Sequence, residues 1–135
     1  MELDKKIIGE LKSNSRATNV QIAKKLGVSE GTIRKRVNNL VKNKTIRRFT
    51  VDVTTKTGFS AIVLLKSKTH IKTFEIVDKL KKIKDIKNIY ETAGEYDIIL
   101  EIVTESAEMF NNIIETVRYV EGIEDTETLA ILKIS

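Results

Sequence analysis

The apolar positions of this chain keep a helical period up to about Thr50 and a mixed strand and helix period afterwards. Leu3, Ile7, Ile8 and Leu11 recur at helical spacing, with Asp4 placed to favour the first turn, and they predict a helix from about Leu3 to Lys12. Ser13-Asn-Ser breaks it. Thr18-Asn-Val-Gln21 has the form of a capping box, in which a hydroxyl and an amide side chain satisfy the free donors of a helix start. A second helix is therefore expected from about Asn19 to Leu26, with Gly27 as its left-handed stop. Ser29 caps a third helix running to about Asn43, whose apolar face is Ile33, Val37 and Leu40. Thr45 to Asp52 then alternates like a strand.

From Phe59 the pattern becomes strand-like, with Ala61 to Leu65 as one strand and Phe74, Ile76, Val77, Leu80 and Ile83 as the stripe of a helix. Ile86 to Thr92 reads as a second strand. The sequence then repeats itself: Asp97 to Val103 as strand, Phe110, Ile113, Ile114 and Val117 as helix stripe, Ile123 to Ile134 as strand. Phe74 and Phe110, 36 positions apart, are expected to hold equivalent places. The order βαββαβ is the ferredoxin-like split unit, an antiparallel sheet with both helices on one face because both crossovers are right-handed. Its strands are nevertheless apolar on both sides, since Ile98, Ile99 and Leu100 run consecutively, as do Leu129 to Leu132. A second apolar face needs a cover, most simply another copy of the chain, which predicts a dimer that presents two copies of the third helix to a two-fold-related partner.

Charge sharpens this division. Met1 to Thr50 holds thirteen Lys/Arg against four Asp/Glu, a net +9, and Val51 to Ser135 holds eleven against fifteen, a net −4. A basic front joined to a mildly acidic rear assigns the front a polyanionic partner and the rear a different task. At 135 residues, two small domains are expected, residues 1–50 and residues 59–135, with a hinge or linker over residues 51–58. The absence of cysteine removes disulfides and thiolate chemistry and makes the cytoplasm the expected compartment. The apolar runs are far shorter than the roughly 20 residues that span a bilayer, and the charged opening residues lead into no signal-peptide core, so no membrane association is expected. The lack of proline and cysteine, with many Ile, Lys and Glu, is compatible with a thermophilic source or with AT-rich codon usage.

Two short helices separated by a glycine turn make a helix-turn-helix unit, which turns the polyanion into double-stranded DNA. At about 100° per residue, Gly31, Lys35, Asn38 and Lys42 point away from the Ile33/Val37/Leu40 face, with Thr32, Arg34 and Asn39 on its flanks and Ser29 at its start. Lys and Arg donate to guanine or phosphate, Asn pairs with adenine, and Gly31 permits close approach. Any solvated amphipathic helix carries lysines; the capped second helix, the turn and the basic charge decide for DNA. Arg36 lies nearer the buried stripe and reads as partly structural. Arg47 and Arg48 suit phosphate contacts from a wing, the alternative being a linker strand with solvated arginines. In the rear, Gly94-Glu-Tyr-Asp97 on its own chemistry is an ordinary hairpin turn, and Thr126 and Thr128 are routine strand residues. An enzyme is poorly supported: the single histidine, His70, sits at the start of a helix as a surface residue, and Glu91, Glu95, Asp97 and Glu101 form a metal cluster only if the turn does not intervene.

Asp4 to Leu11, Ile22-Ala-Lys-Lys-Leu-Gly-Val-Ser29, Arg36-Val-Asn-Asn-Leu40, Ile46, Gly94-Glu-Tyr-Asp97 and Gly122 to Thr128 together resemble the Lrp/AsnC (feast/famine) transcription regulators. The resemblance covers essentially the whole chain in family order. It implies an α+β protein, with an N-terminal winged helix-turn-helix joined by a hinge strand to a ferredoxin-like sensing domain. It also implies dimers that assemble into octamers or other higher oligomers, with an amino acid effector bound between sensing domains and no other cofactor. By resemblance, the effector contacts are Gly94, Glu95, Tyr96 and Asp97 with Thr126 and Thr128, and Glu91 or Glu95 would suit a cationic amino acid. The expected function is sequence-specific regulation of transcription in amino-acid metabolism; the alternative is an architectural DNA-coating protein without effector. One departure stands out. Family members usually carry an acid and a glycine at the end of the recognition helix, where this chain has Val41 and Lys44.

Overall fold

The helix punctuation of the first third acts where the sequence places it. In the computed structural model, which describes residues 2–53 and 58–135, α1 is Glu2–Ser13, α2 is Asn19–Leu26 and α3 is Glu30–Lys42. Thr18 Oγ1 accepts from the Gln21 N–H at 3.1 Å while the Gln21 side chain accepts from the Thr18 N–H at 2.9 Å, closing the capping box. Gly27 ends α2 at φ 70°, a left-handed conformation that costs an L side chain about 1–2 kcal/mol, and the Val28 N–H returns to the Ala23 carbonyl at 3.1 Å. Ser29 caps α3 by accepting from the Thr32 N–H at 3.2 Å. Ile7, Ile22, Ala23, Ile33 and Leu40 form the buried centre of the three helices, with Val37 and Ile46 packed against it.

The strand expected over Thr45 to Asp52 does not form: from Arg47 to Val53 the described chain has no regular secondary structure. A strand exists by pairing with another, and within this chain the residues from Arg47 to Val53 are all exposed, the apolar Phe49, Val51 and Val53 among them. Of the hinge expected over residues 51–58, Thr54 to Thr57 lie outside the described residues. The chain divides into two compact units, Met1–Val53 and Thr54–Ser135.

The second unit has the order β1 (Phe59–Ser67), α4 (Thr73–Leu80), β2 (Ile86–Glu91), β3 (Ile98–Thr104), α5 (Ala107–Arg118), β4 (Ile123–Ala130). Its four strands form one antiparallel sheet in the order β2-β3-β1-β4. Alternation sends Ala61, Val63 and Leu65 of β1 and Ile98, Leu100 and Ile102 of β3 to one face, where they meet Ile76, Val77 and Leu80 of α4 and Phe110, Ile114 and Val117 of α5. Ile62, Leu64 and Ile99 stand on the opposite face with Val103 and Leu129 and are only partly covered within the chain.

Two expectations change. Phe110 is buried against Phe59, with ring centroids 4.8 Å apart, but Phe74 is 57% exposed with the Lys72 ammonium near its ring. Phe74 is two residues before Ile76, about 200° round the helix, so it leaves the buried stripe. The equivalent positions are Ile76, Leu80 and Ile83 against Phe110, Ile114 and Val117, an offset of 34 rather than 36. The last strand stops at Ala130 rather than Ile134, because its partner β1 begins at Phe59 and the Ile131 N–H already reaches the Ser60 carbonyl. Leu132 and Ile134 are left exposed.

Gly122 precedes β4 at φ 102°, and a Cβ there would stand 2.7 Å from Ile71 Cγ2 and 2.9 Å from Ile76 Cδ1. Its carbonyl accepts from the Lys68 N–H at 2.7 Å, tying the start of β4 to the end of β1.

Candidate nucleic-acid interface and effector region

On α3 the burial of Ile33 and Leu40 fixes the roll of the helix, and Arg34, Lys35, Asn38 and Lys42 are exposed as its period requires. Gly31 and Thr32 are half-buried, and the Thr32 hydroxyl shares a 2.8 Å hydrogen bond with Ser29 Oγ, so both hydroxyls serve the cap. Arg36 Nη1 lies 3.4 Å from Asp4 Oδ1, joining α3 to α1 in the structural role that its angular position suggested. Arg34 is engaged by Glu30, at 2.9 Å from Nη1 to Oε2, a partner the sequence reading overlooked although Glu and Arg four residues apart on a helix are a visible signal.

The end of α3 explains how the chain manages without the family's glycine. Lys44 itself takes the left-handed conformation, φ 62°, and the Ile46 N–H closes on the Leu40 carbonyl at 2.9 Å. Arg47 and Arg48 follow as exposed residues in irregular chain rather than on a wing strand.

In the second unit Gly94, Glu95, Tyr96 and Asp97 connect β2 to β3. Asp97 Oδ2 accepts from both the Ser67 N–H at 2.8 Å and the Ser67 hydroxyl at 3.0 Å, where the β1–β4 register shifts and that N–H leaves the ladder. The Asp97 N–H donates to the Leu65 carbonyl at 2.9 Å. The Tyr96 hydroxyl donates to Glu127 Oε2, and that bond, with desolvation and the negative charges of Glu127, Glu95 and Asp125, pushes its pKa up to about 12. The Lys66 ammonium stands 5.7 Å from the Tyr96 ring centroid and 3.7 Å from Glu95 Oε1. Gly94 has φ 144° and open space where a Cβ would project.

Register places the threonines differently from Glu127. Thr126 pairs with Leu65 and Thr128 with Val63, so both follow the helix-covered face, while Glu127 pairs with Leu64 on the other. Turn and threonines share one end of the sheet, on either side of Leu65, and the Tyr96 side chain reaches across to Glu127, between the two threonines. Glu127, Lys66 and Ser67 are the neighbours that sequence reasoning missed. No signal local to either segment links residues 30 or 31 positions apart.

The family described as winged helix-turn-helix DNA-binding matches residues 2–47, and the Lrp/AsnC ligand binding domain matches residues 60–135. The HTH-type transcriptional regulator LysM of Sulfurisphaera tokodaii is 35% identical over 133 residues, covering 98% of this chain and 95% of that protein. The HTH-type transcriptional regulator FL11 of Pyrococcus furiosus is 35% identical over 136 residues, covering 98% and 89%. Among solved structures, Escherichia coli AsnC is similar with a TM-score of 0.71 at 25% identity, covering 99% of this chain and 93% of that one. A Neisseria meningitidis transcriptional regulator in complex with L-methionine shares the fold, with a TM-score of 0.74 at 20% identity, covering 98% and 90%. With both halves matched in order and relatives at this identity along nearly its whole length, the chain belongs to the Lrp/AsnC family of helix-turn-helix transcription regulators, and is not an enzyme.

Proposed function

We propose that this regulator binds double-stranded DNA through the exposed face of α3 and responds to an amino acid held by its second unit, acting in the cytoplasm on genes of amino-acid metabolism. The match of residues 60–135 to a ligand binding domain carries this reading, and L-methionine complexes of two fold neighbours, from Neisseria meningitidis and Mycobacterium tuberculosis, support the ligand class. Lys35 and Asn38, with Arg34, read base edges; Lys42, Arg47 and Arg48 contact phosphates; Ser29, Gly31 and Thr32 set the helix start against the backbone. The effector contacts are Gly94 to Asp97 with Thr126 and Thr128, completed by a second copy of the chain. The sheet face bearing Ile62, Leu64 and Ile99 makes the chain a dimer, which associates further into an octamer or another higher oligomer.

A thermal-shift screen of the twenty amino acids tests the effector. A ligand at 100 times its Kd stabilises by about 2.7 kcal/mol, and stabilisation by one amino acid with altered operator affinity is the expected result. No response to any of them overturns the effector and leaves an architectural DNA-binding protein. Gel-shift titration across salt tests the interface: Lys35→Ala or Asn38→Ala should weaken operator binding by about 1–3 kcal/mol and relax one base position, while Arg47→Ala and Arg48→Ala weaken all sequences alike.

A further inference from the structure

Arg34 and Glu30 stand one turn apart at the start of α3 and pair through a single guanidinium nitrogen. Nη1 donates to Oε2 at 2.9 Å and to Oε1 at 3.2 Å. Nε and Nη2, which share another edge of the planar group, are then left as two parallel donors. Nη2 lies 3.7 Å from the point where a Cβ on residue 31 would stand, so the guanidinium is folded back over the first turn, and glycine there leaves that edge uncovered. Both side chains face solvent, Arg34 at 61% and Glu30 at 36% exposure. An exposed pair at this spacing adds little to stability, so its stabilising effect alone gives it little importance.

We propose that Glu30 is a positioning residue for base reading: it holds Arg34 so that the Nε/Nη2 edge meets the O6 and N7 acceptors of a guanine in the major groove. A free arginine on this surface takes any phosphate oxygen within reach. A carboxylate on Nη1 removes that option by its own charge, which repels the backbone, and by fixing the orientation of the fork. Gly31 completes the unit by leaving room for the base. Glu30 thus exchanges non-specific affinity for discrimination. This inference rests on the reading of α3 as the DNA-facing helix.

The test is selection from a pool of randomised duplexes, followed by titration of the chosen site and of random duplex, with the full chain and its Glu30→Ala, Arg34→Ala, Gly31→Ala and doubly substituted Glu30→Ala/Arg34→Ala variants. Wild type should prefer guanine at one position of each half-site. Glu30→Ala should lower that preference about tenfold while raising affinity for random duplex. In the Arg34→Ala background the guanine preference is already lost, and Glu30→Ala should change it no further. Gly31→Ala, whose methyl meets only ordinary van der Waals contact, should weaken the guanine preference more than it weakens random-duplex affinity. Circular dichroism confirms that α3 is intact in each. A Glu30→Ala protein with the wild-type guanine preference, while Arg34→Ala abolishes it, overturns the positioning role. If Arg34→Ala, Lys35→Ala and Asn38→Ala all leave the selected sequence unchanged, the DNA-facing reading of α3 fails instead.

Discussion

The recognition helix and the Gly94–Asp97 turn hold their polar side chains in contrasting states. On α3 the backbone satisfies itself, so Lys35, Asn38 and Lys42 project into solvent with no structural duty fixed by the helix. At the turn the regular ladder ends, and side chains supplement the two backbone bonds of Asp97, its N–H to the Leu65 carbonyl and its carbonyl to the Thr92 N–H. Asp97 holds the N–H and hydroxyl of Ser67, Thr92 donates to the Tyr96 carbonyl at 2.8 Å, and the Tyr96 hydroxyl is held by Glu127. A surface of the first kind is ready for a partner. One of the second kind is stiff, and substitutions there disturb the fold before they report on a ligand.

The sharpest way to break this contrast is Asp97→Ala against Lys35→Ala. Removing the carboxylate leaves the Ser67 N–H in a half-buried site without its acceptor and should lower stability by about 1–3 kcal/mol, whereas Lys35→Ala should stay within about 0.5 kcal/mol. Chemical denaturation measures both, and an unchanged midpoint for Asp97→Ala would refute its anchoring role. Loss of ligand response in that variant counts as evidence for a contact only if the folded fraction is matched.

Next comes the alkaline titration of Tyr96. Its pKa is raised from the ordinary 10.0 to about 12. Because the folded value lies above the unfolded one, the stabilisation is complete below about pH 10 and is lost as pH rises through about 12. Glu127→Gln removes the charged acceptor and should bring the ionisation back towards 10.0, seen as an earlier phenolate absorbance step that Tyr96→Phe deletes. Coincident curves for wild type and Glu127→Gln would show that the Tyr96–Glu127 bond does not form in solution.

The smallest effect belongs to the front unit's own strained point. Lys44→Gly relieves a left-handed lysine at the cost of a more flexible unfolded chain, for a net gain of about 0.5–1 kcal/mol. A rise in the thermal midpoint with unchanged operator affinity is expected; a fall would mean that the lysine side chain itself is needed there.

What the sequence disclosed follows the range of the interactions. The capping box at Thr18, the glycine stop and the Ile33/Leu40 stripe act within a few residues, and all three could be read from spacing alone. The order of strands and helices in the second unit was equally legible, because two periods alternate there. Phe74 misled because composition suggested a match with Phe110 that the angular period contradicts, and only the period governs burial. The overlong last strand and the strand after Thr45 failed for one reason: alternation shows that a segment is able to pair, not that a neighbour is present. The Ser67–Asp97 and Tyr96–Glu127 bonds depend on cross-sheet register and had no local trace. Glu30–Arg34 had one, and its meaning emerged only from the orientation of the guanidinium.

Gly122 gives the molecule a point of mutational intolerance unlike any on the recognition helix. The space where its side chain would begin is already occupied by Ile71 and Ile76, and its backbone is left-handed, so every replacement meets both obstacles together. Gly9 faces open space and Gly31 meets a neighbour only at ordinary contact distance. The exposed face of α3 therefore admits new side chains without meeting a neighbour's backbone or core, while the entry to β4 is closed to all but glycine.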